Sequence, residues 1–303
     1  MRIASSQYST TMNSALQNAS ARLEEIMQKM STGQKLLLPS DDPVTNVRLS
    51  RITRQEASVN QYRSNISALN VRLQQNETHL DSLNSDMQEA RDLMVWALDG
   101  GNSSDDLKAM YSSLQSLSKS LLNTANSKDD EGRYLFAGTA SYTVPIAYDA
   151  TAPAGSRYSY AGNTGAQNVV VGNGVTEQAN VNVSEMATVL NQLDSTVVIL
   201  GGAAPQVSDP ATRAQFQATL DSIDFGMNSV SSKIASIGGA QNVLATLDSS
   251  LSNVSVSNQQ AMIDLGQLDY GDAATKLNGY STAVQATQKA YAQVSKLSLF
   301  DAI

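Results

Sequence analysis

From Ile52 to Ala97 one stripe advances in steps of three and four residues: Ile52, Gln55, Val59, Tyr62, Ile66, Leu69, Leu73, Asn76, Leu80, Leu83, Met87, Ala90, Met94 and Ala97. Only Gln55 and Asn76 are polar. A repeat of 3.5 residues keeps one face of a helix against its neighbours along its whole length, as in a coiled-coil-like seam. At 1.5 Å rise per residue, such a helix reaches roughly 70 Å. The expected fold is therefore mainly α: an elongated multi-helix rod whose core holds Ile66, Leu69, Leu73, Leu80, Leu83 and Met87. Asn76 reads either as a polar residue that fixes register or as one rotated into water.

A chain of 303 residues has room for about two domains and a substantial core. Its net charge of −8, without clusters of Lys and Arg, argues against nucleic-acid binding, because phosphates need concentrated positive charge. With no cysteine, disulfides, thiolate metal sites and cysteine catalysis are excluded. That composition suits a protein living outside the reducing cytosol. Polar residues interrupt every apolar pair in the first thirty positions, so a Sec-type signal is not expected and any export takes another route. The run Val197 to Leu200 is too short for a membrane span, so no membrane insertion is expected.

Residues 1–10 are polar, show no period and are expected to be flexible. A seam then runs through Met12, Leu16, Ala19, Leu23, Ile26 and Met30. Its helix should stop near Gly33, because glycine accepts the left-handed C-terminal position. Leu36, Leu37 and Leu38 fall in a connector. The run Pro39, Ser40, Asp41, Asp42, Pro43 marks the next helix start, with Asp42 capping free N–H groups and Pro43 in the first turn. That helix should end at Gly100-Gly101, and a third should start around Ser103 to Asp106 with Leu107, Met110, Leu114, Leu117 and Leu121 on one face.

Between residues 137 and 183 there are only three charges but six glycines, together with short runs such as Thr143-Val144, Arg157 to Tyr160 and Val169 to Val171. These predict a small β-rich insertion. Helical period returns at Met186, and Asp209-Pro210 repeats the capped start of a long helix. Near Gly238-Gly239 its register slips without ending it. A final stripe covers Leu277, Tyr280, Val284, Tyr291 and Val294 and closes on Leu297, Ser298, Leu299 and Phe300.

This layout predicts four parts: 1–40, a terminal assembly helix and connector; 41–137 with 184–270, the helical body; 138–183, an outward-facing β-rich insertion; and 271–303, a C-terminal assembly helix. The terminal seams use Met, Ala, Thr and Tyr where a strong coiled coil uses Leu or Ile, and each missing large side chain forgoes roughly 1.5–3 kcal/mol of burial. Both ends are therefore expected to order only when subunits pack.

Chemistry is sparse. His79, the single histidine, has no acid at i+3 or i+4 and reads as a surface residue. Asp129 to Gly132 lacks the glutamate that a calcium loop needs at its twelfth position, where Gly138 stands, and reads as a turn. Gly172-Asn173-Gly174 lacks the third glycine of a dinucleotide loop. No enzyme, metal site or cofactor is expected. Tyr142, Tyr148, Tyr158 and Tyr160 read as cross-strand packing or as a face for sugar or protein.

Five segments in order resemble the bacterial flagellar hook-associated protein 3 family: Met-Arg-Ile at 1–3, Met-Ser-Thr-Gly at 30–33, Pro-Ser-Asp-Asp-Pro at 39–43, Gly-Arg-Tyr-Leu-Phe-Ala-Gly-Thr at 132–139 and Leu-Ser-Leu-Phe at 297–300. The resemblance covers residues 1–139 and 209–303, and the arms are also similar to flagellin. It implies a structural, extracellular flagellar subunit, exported by the flagellar type III route without a cleaved signal. In that reading a ring of subunits joins hook-associated protein 1 to the flagellin filament, and an export chaperone holds the C-terminal helices beforehand. The assembly seams would be Met12, Leu16, Leu23, Ile26 and Met30 at one end, and Leu277, Val284, Tyr291, Val294, Leu297, Leu299 and Phe300 at the other. Arg133, Tyr134, Phe136 and Gly138 would form a junction motif. The alternatives are a flagellin or, more distantly, a secreted coiled-coil adhesin.

Overall fold

Aspartate, serine and proline set the helix starts. Asp42 Oδ1 accepts the N–H groups of Val44 and Thr45 at 3.1 Å, and Pro43 opens the helix. Ser103 and Asp106 form a reciprocal capping box, and Asp209 Oδ2 accepts Thr212 N–H at 3.0 Å. The computed structural model describes the backbone of residues 2–300, and the side-chain surroundings of residue 7 and residues 9–293. In chain order the elements are α1 Arg2–Thr32, α2 Pro43–Ala97, α3 Ser104–Ala125, β1 Ile146–Tyr148, β2 Tyr158–Tyr160, β3 Asn168–Gly172, β4 Val175–Gln178, α4 Met186–Leu200, α5 Pro210–Gly266 and α6 Tyr270–Phe300.

The chain is mainly α with a small β part. Helix α1 stops where Gly33 takes φ +69°, as its sequence predicts. Two boundaries differ from expectation. The polar start is helical from Arg2, since residues 2–10 lack an apolar stripe but contain no glycine or proline to break a helix. Helix α2 ends at Ala97, ahead of Gly100, in a turn held by the Asn102 amide on the Trp96 carbonyl.

Two compact units result, Met1–Asn60 with Ser252–Ile303 and Gln61–Leu251. The second holds a large apolar core. From Ile66 to Ala97 every apolar position of the α2 stripe is buried, and its neighbours are Leu107, Leu114 and Leu121 of α3, Leu190 and Leu193 of α4, and Phe216, Ile223, Val230, Ile237 and Leu244 of α5. Each such side chain contributes about 1.5–3 kcal/mol when fully buried. Gly226 of α5 is required by close packing, because a Cβ there would lie 2.8 Å from Val189 and 3.0 Å from Met87. At Gly238-Gly239 the helix runs on without the expected slip, since Ile237 and Leu244 are both buried one heptad apart and the register continues across the glycines.

The β part is two antiparallel hairpins, β1–β2 and β3–β4, with Ala147 opposite Ser159 and Val169 opposite Glu177. The first strand is Ile146–Tyr148 and not Thr143-Val144. Asn126, at the end of α3, bonds both the N–H and the C=O of Ile146, at 2.9 and 3.0 Å, and so stands in for a neighbouring strand. Gly172 to Gly174 forms the β3–β4 turn, with Gly174 at φ +74°.

Returning chain settles Asn76 and His79. Asn76 is fully buried, and its Nδ2 points at the Ala179 carbonyl at 3.4 Å, so the rotated, water-exposed reading is wrong. His79 is half-buried edge-on to Phe136, ring centroids 6.3 Å apart, and burial pushes its pKa down. A surface histidine is the expectation this corrects, because Phe136 arrives from 57 positions away in sequence (136 − 79).

The first unit is built from α1, α6, the start of α2 and the end of α5, with α1 packed along α6. Among its described residues the buried apolar side chains are Ile26, Val59 and Ala273. The rest of its interior is polar. Gln55, a seam position by sequence, is exposed, and Glu56 takes its place at 8 % exposure. Ser255 Oγ donates a short hydrogen bond to Glu56 Oε1, and Asn258 Nδ2 donates to Oε2 at 3.1 Å.

Candidate assembly surface

The connector between α1 and α2 is fixed by backbone pairing with the segment between α5 and α6. Lys35 N–H donates to Gly266 O at 2.8 Å, Leu268 N–H to Gly33 O at 3.0 Å, and Tyr270 Oη to Met30 O at 3.3 Å. In the 39–43 run the two carboxylates divide the work. Asp41 Oδ2 accepts the N–H groups of Leu37 and Leu38 at 3.0 and 3.1 Å, closing the connector, whereas Asp42 caps α2 and takes the Thr45 hydroxyl at 2.6 Å. Backbone N–H bonds hold Asp41 below the usual carboxylate range, and the Thr45 hydroxyl does the same for Asp42. The pair is therefore a structural clasp. Among the described residues no group of three or more His, Cys, Asp or Glu side chains is placed to hold a metal ion.

With its polar groups satisfied internally, the connector turns apolar side chains outward. Leu36, Leu37, Leu38 and Pro39 line a cleft of about 810 Å³ with Leu49, Met262 and Ile263. Leu38 is 60 % exposed, Val44 64 % and Val47 67 %. Exposed apolar side chains gathered around one cleft are the kind of surface that marks an interaction site. Sequence reading passed over Val44, Val47, Met262 and Ile263; the signal available was the run of three leucines in a connector.

The N-terminal seam is only partly covered. Met12, Leu16, Leu23 and Met30 are intermediate, and Ile26 alone is buried at 7 % exposure. On α6, Leu277 and Val284 are intermediate and Tyr291 is exposed. The side chains of Val294, Leu297, Leu299 and Phe300 lie outside the described residues.

Residues 129–138 belong to the second unit and are tied down by local contacts. Asp129 accepts Arg133 N–H and Nε at 2.9 Å, Arg133 Nη2 pairs with Glu131 at 2.9 Å, and Lys128 sits 4.6 Å over the Tyr134 ring. Phe136 is fully buried, and its carbonyl accepts the Tyr160 hydroxyl at 3.0 Å. Gly138 has φ +70°, and a Cβ there would lie 2.0 Å from the Asn163 carbonyl oxygen, so only glycine fits. These residues anchor the β part and leave little apolar surface free, unlike the connector.

Among the described residues, no helix is long and apolar enough to cross a membrane. The family model described as bacterial flagellin N-terminal helical region matches residues 3–141. Flagellar hook-associated protein 3 of Escherichia coli (strain K12) is 28 % identical over 93 % of each chain. Its namesake in Salmonella typhimurium is 26 % identical over 99 % of each. A solved structure of a putative flagellar hook-associated protein from Vibrio parahaemolyticus superposes with a TM-score of 0.67 at 29 % identity, covering 75 % of this chain and all of that one. With its helical arms, β part and matches along most of its length, the chain is similar to flagellar hook-associated protein 3, and its N-terminal part to the helical region of flagellins.

Proposed function

We propose that this chain is a structural subunit of the bacterial flagellum, forming the junction ring between hook-associated protein 1 and the flagellin filament. The observation that carries this reading is the first unit's partly covered seams and outward-facing connector leucines, which leave apolar surface for neighbouring subunits. Self-association into a ring uses the α1 and α6 seams. Hook-associated protein 1 and flagellin take the two ends of that ring. Before assembly the chain passes through the flagellar type III apparatus, its C-terminal helix held by an export chaperone. In this scheme residues 1–40 and 271–303 are the assembly parts, and 138–183 faces outward.

Interfaces of many weak contacts repack at modest cost, which suits a ring between a bending hook and a stiff filament. The test is removal of Leu297–Ile303. The shortened chain should keep its folded middle by circular dichroism but leave cells with intact hooks that shed flagellin into the medium. Normal filaments on those cells would refute the proposal. A filament subunit is the second reading, favoured by the flagellin match at 3–141. A junction protein is scarce per flagellum and a filament subunit abundant, so copy number separates the two.

A further inference from the structure

A second cleft, of about 570 Å³, opens in the unit of residues 61–251 between α3, α4 and the β1–β2 hairpin. Its volume falls within the ~300–1,000 Å³ typical of small-molecule sites. One wall is aromatic: the rings of Tyr148 and Tyr158 lie 5.0 Å apart at 44°, and Tyr148 is 52 % exposed. Another is a fixed donor–acceptor pair. Arg157 Nη1 reaches Asp194 Oδ1 at 3.1 Å, Arg157 Nε is held by the Ala152 carbonyl at 3.2 Å, and Asp194 Oδ2 takes the Gly155 N–H at 3.0 Å. Asn191 of α4 clamps both backbone groups of Tyr158, at 2.9 and 2.8 Å, so this part of the aromatic wall is held in place before anything binds.

Lys119 of α3 adds an exposed second cation to the lining, so Lys119 and Arg157 against Asp194 leave a net charge of +1. A tyrosine face suits the apolar face of a sugar ring, and side-by-side charged donors and acceptors suit its hydroxyls. The surplus cation suits a carboxylate. From this geometry we propose that the cleft binds saccharides carrying a carboxylate on the ring, such as uronic acids. The β-part tyrosines then separate by role: Tyr148 and Tyr158 form the platform, whereas Tyr160, bonded to the Phe136 and Asn163 carbonyls at 3.0 and 2.8 Å, holds the fold.

The test is titration of the full chain with trigalacturonic acid and with neutral galactotriose, read by calorimetry and by saturation-transfer NMR. The acidic trisaccharide should bind at least about tenfold more tightly than the neutral one. Tyr148→Ala should abolish ring saturation transfer, and Lys119→Gln should weaken only the acidic ligand. Both positions are exposed, so thermal midpoints should not move. Three results would each overturn the proposal: no saturable binding of the acidic sugar up to about 10 mM, equal affinity for both sugars, or acidic-sugar binding that survives both substitutions.

Discussion

The two units share the long helices α2 and α5 yet are held together by different chemistry. In residues 61–251, α2 buries a series of Ile, Leu, Met and Ala, interrupted by Asn76, against α3, α4 and α5. In the other unit the same two helices meet through a carboxylate, a hydroxyl and an amide, with Val59 beside them. An apolar core contributes stability to a lone chain. A buried polar cluster contributes little net stability, because desolvation offsets most of what its hydrogen bonds return, but it tolerates few alternative registers. From this contrast we propose that one unit folds alone and the other is completed by neighbouring subunits.

Breaking the apolar side of the comparison gives the largest expected effect. Leu73 is 2 % exposed, so Leu73→Asp places an unpaired charge in the core and should cost about 4 kcal/mol or more. Denaturant unfolding followed by circular dichroism should show loss of the 61–251 unit. A cost under about 1 kcal/mol would mean that the stripe is not a load shared by the core.

The polar side predicts a smaller, pH-dependent effect. The Ser255 hydroxyl, ahead of the amides of Asn258, Gln259 and Asn60, lowers the pKa of Glu56 below its ordinary 4.5, and no charged side chain is among the causes. A carboxylate whose folded pKa is depressed stabilises the fold fully above its unfolded value and loses that contribution as pH falls through the folded one. Acid should therefore loosen the 1–60 with 252–303 unit below about pH 4.5. Glu56→Gln should lower stability at pH 7 by about 1 kcal/mol and flatten the acid limb. An unchanged pH profile measured by tryptophan-independent circular dichroism would remove Glu56 from the account.

Asn76 sharpens the comparison by the least. It is the polar exception inside the apolar unit, with Oδ1 lacking a hydrogen-bond partner and Nδ2 at 3.4 Å from its acceptor. Asn76→Leu should stabilise by about 1 kcal/mol in thermal unfolding. A comparable loss would show that the bond to Ala179 outweighs the orphaned oxygen.

Local chemistry made much of this fold legible. The α2 stripe, Gly33 as a helix stop, and Asp42 and Asp209 as caps depend on residues within one or two turns, where sequence and contact coincide. What escaped depends on distant partners. Gln55 fits a strict 3.5-residue step as well as Glu56 does, and only Ser255 and Asn258, about 200 positions away, select the carboxylate. The burial of His79 and the shift of the first strand from Thr143-Val144 to Ile146–Tyr148 escape the sequence for the same reason: Phe136 folds over His79, and Asn126 sets the edge at Ile146. In the assembly surface the seams were legible as period, but the cleft beside Leu36 to Leu38 needed the backbone pairing of Lys35 with Gly266 to bring Met262 and Ile263 alongside.

Hydrogen exchange of the full chain, as a dilute monomer and again in assembled flagella, tests the division between the units most directly. In the monomer, amides from Ile66 to Met94 should exchange slowest, and those of residues 9–32 and 270–293 fast, gaining protection only on assembly. Equally strong protection of both terminal helices in the dilute monomer would contradict it.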